Sequence, residues 1–159
     1  QESLKKIEYL KDVNELDSVE GISLLRVYFK YPVKDCKVWF KDIKRTTTDN
    51  YIRHIIPINY DNGLIMISYT DELYANMLLT IYNSGKDKLI KAIHKEIKDL
   101  FGINPPEPEE VMFHYWENGC HFWKTGEDMN KIYQLAKKKD CGGIITTSKD
   151  YYKLSIKKN

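Results

Sequence analysis

Two runs rich in β-branched and apolar residues, Tyr51 to Ile58 and Leu64 to Tyr69, stand on either side of Asp61-Asn62-Gly63. Asp, Asn and Gly tolerate the positive φ of a tight reversal, so this spacing predicts a β-hairpin. Directly afterwards the apolar period lengthens to that of a helix. Thr70-Asp71-Glu72 caps a segment with Leu73, Met77, Leu78 and Ile81 at helical spacing, broken by Asn83-Ser84-Gly85. A second segment, Lys86 to Phe101, carries Leu89, Ile90, Ile93, Ile97 and Leu100 on one face, with lysines and acids on the other, and ends at Gly102. A hairpin followed by two consecutive helices departs from regular βαβ alternation.

The flanking segments supply further strands. Ile22 to Tyr31 is rich in β-branched and aromatic residues and is stopped by Pro32, which has no N–H for a ladder. Before it, Leu4, Ile7, Leu10 and Val13 predict a short amphipathic helix or an extended arm, ended by Gly21. Lys37 to Phe40 suggests a short strand, and residues 44 to 50 a polar loop. The prolines of Pro105-Pro106-Glu107-Pro108 make a stiff connector. Beyond it Val111 to Trp116 reads as a strand, Glu117-Asn118-Gly119 as a turn, and Cys120 to Trp123 as an aromatic return strand. A third helix is expected from Gly126 to about Lys139, and Ile144 to Thr146 and Tyr151 to Ile156 are strand-like. The expected fold is α+β: one domain over 1–159, with a mostly antiparallel mixed sheet covered on one face by two to three helices.

Composition narrows the function classes. The charges nearly balance, 25 basic against 23 acidic for a net +2, and only Arg26, Arg45 and Arg53 are arginines. That is too little for an electrostatic nucleic-acid footprint. Cys36, Cys120 and Cys141 are widely spaced and odd in number, which points to a reducing compartment rather than to a secreted disulfide framework. No apolar run approaches the length of a membrane span, and the start at Gln1 lacks a signal-peptide core, so a soluble, non-secreted protein is expected. The chain begins without methionine, which suggests processing or a portion of something longer.

Read in order, Leu24-Leu25-Arg26-Val27-Tyr28-Phe29, Tyr51 to Pro57, Gly63 to Asp71, Pro106-Glu107-Pro108, and Tyr115-Trp116 through Gly119 to Trp123 resemble the substrate-binding portion of the flavin-containing amine oxidase family, in the divergent form similar to those of large DNA viruses. The resemblance covers about 4–132 and leaves 140–159 as a divergent tail. It implies a mixed sheet flanked by helices, inserted in a Rossmann-like FAD domain, that positions an amine against the flavin. It also implies a cytoplasmic or virion-associated location. The sequence contains no Gly-x-Gly-x-x-Gly after a strand, so FAD is expected only if a nucleotide-binding domain is supplied, and no residue is assigned a catalytic role. Arg26 falls where many members carry a lysine that holds a water near the flavin, and a planar, always-charged guanidinium is no equivalent of it. The expectation is a substrate-domain-like fragment or relic without activity of its own. The alternative is a structural or protein-interaction module, a component of a larger assembly. The partner is then an FAD-binding domain or another protein.

Candidate substrate-binding residues are Arg26, Tyr115, Trp116, His121 and Trp123. The aromatics could contribute to an amine cage, since cations are attracted to ring faces; equally, they could pack across the strands of a hairpin. His114, Cys120 and His121 do not match a paired-ligand zinc spacing, and no metal is expected. His94 is expected at the core rim of its helix. The lysine runs Lys137-Lys138-Lys139 and Lys157-Lys158 read as solvated faces.

Overall fold

In a computed structural model of the chain, residues 17–128 and 130 are described. Strand β1, Val19–Lys30, fixes the two sides of the sheet. Its alternation places Leu25, Val27, Phe29 and, one step past the strand, Tyr31 on one side, all completely buried. Leu24, Arg26, Tyr28 and Lys30 take the other side. Strands β2 (Thr46–Thr47), β3 (His54–Asn59), β4 (Leu64–Asp71) and β5 (Glu110–Trp123) complete a five-stranded sheet in the order β2-β3-β4-β1-β5. β4 pairs antiparallel with both β1 and β3, and β2 pairs antiparallel with β3. This is an α+β fold with an antiparallel sheet.

The hairpin forms where the turn residues stand. Asn59 accepts the N–H groups of Asp61 and Asn62 on its side-chain oxygen, Asn62 accepts that of Leu64, and Gly63 takes φ 74°. A Cβ at Gly63 would lie 2.0 Å from the Tyr31 carbonyl oxygen. The glycine thereby lets Tyr31 N–H donate to the Gly63 carbonyl at 2.9 Å.

Two helices cover the Leu25–Tyr31 side: α1, Glu72–Asn83, and α2, Lys86–Phe101. Leu89, Ile90, Ile93 and Ile97 of α2 enter the same core as Val27, Phe29, Ile65 and Ile67, and Gly102 closes the helix in the left-handed conformation. Burying such side chains stabilises the fold by about 1.5–3 kcal/mol each. On α1 the buried residues are Ala75 and Leu78, whereas Leu73 is 75% exposed. Asp71 occupies the N-cap position without a side-chain cap bond.

Several expectations are corrected. Gly21 lies inside β1 and ends nothing. Lys37 to Phe40 is no strand. Asp35 and Cys36 both take positive φ, 51° and 57°, and Lys34 and Lys37 exchange backbone hydrogen bonds across them. Those are the signs of a tight primed turn. Successive turns then drive Val38, Phe40 and Ile43 into the core as a plug under Tyr31. The strand expected from Tyr51 begins only at His54, because Arg53 turns the chain at φ 61°. Glu117-Asn118-Gly119 makes no reversal, and β5 runs through it. Gly119 lacks positive φ; a Cβ there would sit 2.3 Å from Leu24 Cβ. Its role is close approach to β1.

Two compact units can be separated, 23–119 and the pair of ends 1–22 with 120–159. The first holds both helices and the core described above. In the second, Ser18 Oγ donates to Glu127 Oε2 at 2.6 Å and Lys124 N–H donates to the Ser18 carbonyl at 2.8 Å. The expected N-terminal helix or arm, most of the third helix, the lysine runs, Cys141 and the tail strands lie outside the described residues. No helix among the described residues is long and apolar enough to cross a membrane.

Candidate functional site

Helices cover one side of the sheet, so the distinctive chemistry of unit 23–119 lies on the other. At its centre Arg26 of β1 stands opposite Tyr69 of β4 in the antiparallel register. The guanidinium carbon lies 4.9 Å from the Tyr69 ring centroid and 5.8 Å from that of Trp116 on β5. Contacts of this kind contribute about 0.5–2 kcal/mol each, depending on how dry they are. Burial alone would lower the pKa of the guanidinium. The Tyr28 and Tyr69 hydroxyls outweigh that effect and hold it above its ordinary value, so the charge is permanent.

The neighbours extend this arrangement along both flanks. His114 meets Tyr28 edge-on at 6.5 Å and stacks on Trp116 at 5.7 Å. His54 lies 5.7 Å from the Tyr69 ring. Farther along β1, Lys30 Nζ pairs with Glu110 Oε1 at 2.8 Å beside a shallow depression of about 250 Å³, lined by Tyr28, Asn62, Leu64 and Met112 as well. Each partner of that pair shifts the other toward its charged form: Lys30 is raised and Glu110 lowered. Both side chains are exposed, so the pair adds little to stability.

A bulge assembles this surface. Val27 pairs with Ser68 and Tyr28 with Met66, leaving Ile67 as an extra residue in β4. In a regular strand Met66 and Tyr69 would face opposite sides. With the extra residue both join Arg26 and Tyr28 on the side opposite the helices, while Ile65, Ile67 and Ser68 are all fully buried.

Of the sequence candidates, Arg26 and Trp116 come together. Tyr115 does not join them, because alternation along β5 turns it to the helix side, where its hydroxyl donates to Asn76 Oδ1 of α1 at 2.7 Å. Phe113 shares that side and stacks on Tyr82 at 4.1 Å. His121, exposed, and Trp123, half-buried, belong to the separate unit of chain ends. With no reversal at Gly119, neither the cage nor the cross-strand hairpin imagined for residues 113–123 is formed within unit 23–119. Tyr28, Tyr69, His114 and His54 were missed. The period-two alternation of β1 could have placed Tyr28 beside Arg26, but pairing Arg26 with Tyr69 requires the bulged register.

Among the described residues no group of three or more His, Cys, Asp or Glu is placed to hold a metal, and Cys36 and Cys120 are free thiols. At the β4–α1 junction, Asp71 and Glu72 stand where a dinucleotide fold would offer bare amides to a pyrophosphate. Comparison with protein-family models and with curated proteins finds no match.

Proposed function

We propose that the chain is a non-catalytic binding module, built on a scaffold like the substrate domain of flavin-dependent amine oxidases, whose sheet face opposite the two helices receives a protein partner. One observation carries this reading: Arg26 already lies against Tyr69 and Trp116. A cage for an amine needs ring faces free to meet the ammonium, and an ammonium approaching these rings meets a permanent positive charge instead. Arg, Trp, Tyr and Met are the residue types that dominate protein interfaces, and Trp116 and Met112 are 42% and 46% exposed.

The colinear resemblance over about 4–132 supports a second role on the same scaffold: the substrate half of an oxidase, with an FAD-binding domain as the partner. Purification of the product of the whole reading frame separates the two. The binding-module reading expects a colourless protein that leaves spermine and benzylamine untouched. A yellow protein that releases peroxide from either amine would overturn it.

A further inference from the structure

We infer that the partner presents an acidic side chain, and that its aspartate or glutamate carboxylate seats on the Arg26 guanidinium beside Tyr69 and Trp116. This rests on the binding-module reading above and names what the open face recognises. Arg26 forms no ion pair among the described residues, and its Nε is buried without a hydrogen-bond partner. The Tyr69 and Trp116 ring centroids lie 4.9 and 5.8 Å from the guanidinium carbon. The terminal N–H groups of the guanidinium, which the Tyr28 and Tyr69 hydroxyls also approach, have the planar geometry that holds a carboxylate bidentately.

The surrounding charges favour the same ligand. Lys30 and Glu110 neutralise each other, which leaves the Arg26 guanidinium as the permanent charge beside Tyr69 and Trp116. Asp71, two residues beyond Tyr69 on β4, is paired in the ladder with Leu24 and makes no ion pair with Arg26. A single guanidinium suits one carboxylate, whereas phosphate readers gather several arginines. Nucleic acid, which requires many cations along a track, does not fit a chain of net charge +2 with three arginines.

Short random peptides displayed on phage and selected on the full chain provide the test. Affinities of the selected peptides are then measured by fluorescence anisotropy for wild type, Arg26→Gln, Arg26→Lys and Trp116→Ala. The inference expects a consensus with Asp or Glu, at least roughly tenfold weaker binding to Arg26→Gln, and an intermediate loss for Arg26→Lys. Replacing the peptide's acid by its amide should cost wild type the same factor and Arg26→Gln nothing further. Circular dichroism checks that each variant folds; if Arg26→Gln does not, Arg26→Lys and the amide peptide decide. Selected peptides without an acid, or acidic ones indifferent to Arg26→Gln, overturn the inference. If such peptides still weaken on Trp116→Ala, the docking face stands and only the carboxylate falls. If no variant affects binding, or no peptide is selected, both fall.

Discussion

At Gly119 the backbone of β5 passes so close to Leu24 that one added carbon has nowhere to go. Gly119→Ala should destabilise the fold by about 1–3 kcal/mol, the usual range for overpacking, although the residue's φ is ordinary. Gly102→Ala makes the contrast. It has nothing within 4 Å and suffers only the left-handed conformation at φ 69°, with an expected loss of about 1 kcal/mol. Urea denaturation of the two variants measures both, and a Gly119→Ala loss smaller than that of Gly102→Ala would contradict the packing account. A second residue-scale expectation concerns His94, at the core rim as its helical spacing suggested. Its Nε2 is 3.0 Å from the Tyr31 hydroxyl, and burial lowers its pKa while Glu107 opposes the shift. The unfolded chain therefore takes up this proton first. The stability that neutral His94 contributes is complete above its unfolded value, about 6.5, and is lost as pH falls below it. Urea midpoints should drop between about pH 7.5 and about pH 5, and His94→Phe should flatten that slope; parallel slopes would assign the drop to other groups.

Among the elements, the turn at Asp35-Cys36 holds a side-chain-bearing residue where glycine is favoured. Cys36 is exposed and sits at φ 57°, so Cys36→Gly removes strain without loss of packing and should stabilise by up to about 1 kcal/mol, read as a higher Tm. An unchanged or lower Tm would count against it. This turn also shows where the sequence misleads. Lys37 to Phe40 has strand-forming residues, but consecutive buried apolar side chains served a plug as well as they would a strand. The hairpin at Asp61-Asn62-Gly63 and helix α2 were legible because turn chemistry and a sustained apolar stripe are local properties. Gly119 misled because glycine serves both reversal and close approach, and only the neighbouring strand decides which.

Over the whole described molecule, the asymmetry of the sheet was legible in outline: two helices, one covered side, and Arg26 and Trp116 as residues to watch. Which neighbours they would meet was not, because facing depends on register between segments more than forty residues apart. Tyr115 went to the covered side by the parity of a single position. The extra residue at Ile67 carries the largest consequence. It acts as a phase shift: everything in β4 after it is set half a period away from everything before. Losing or gaining one residue there would trade Tyr69 for a core position and send an apolar side chain outward, so length at this point is constrained more tightly than residue type. A chain that exchanges Ile67 for valine keeps its outer surface, whereas one that omits it turns that surface inside out.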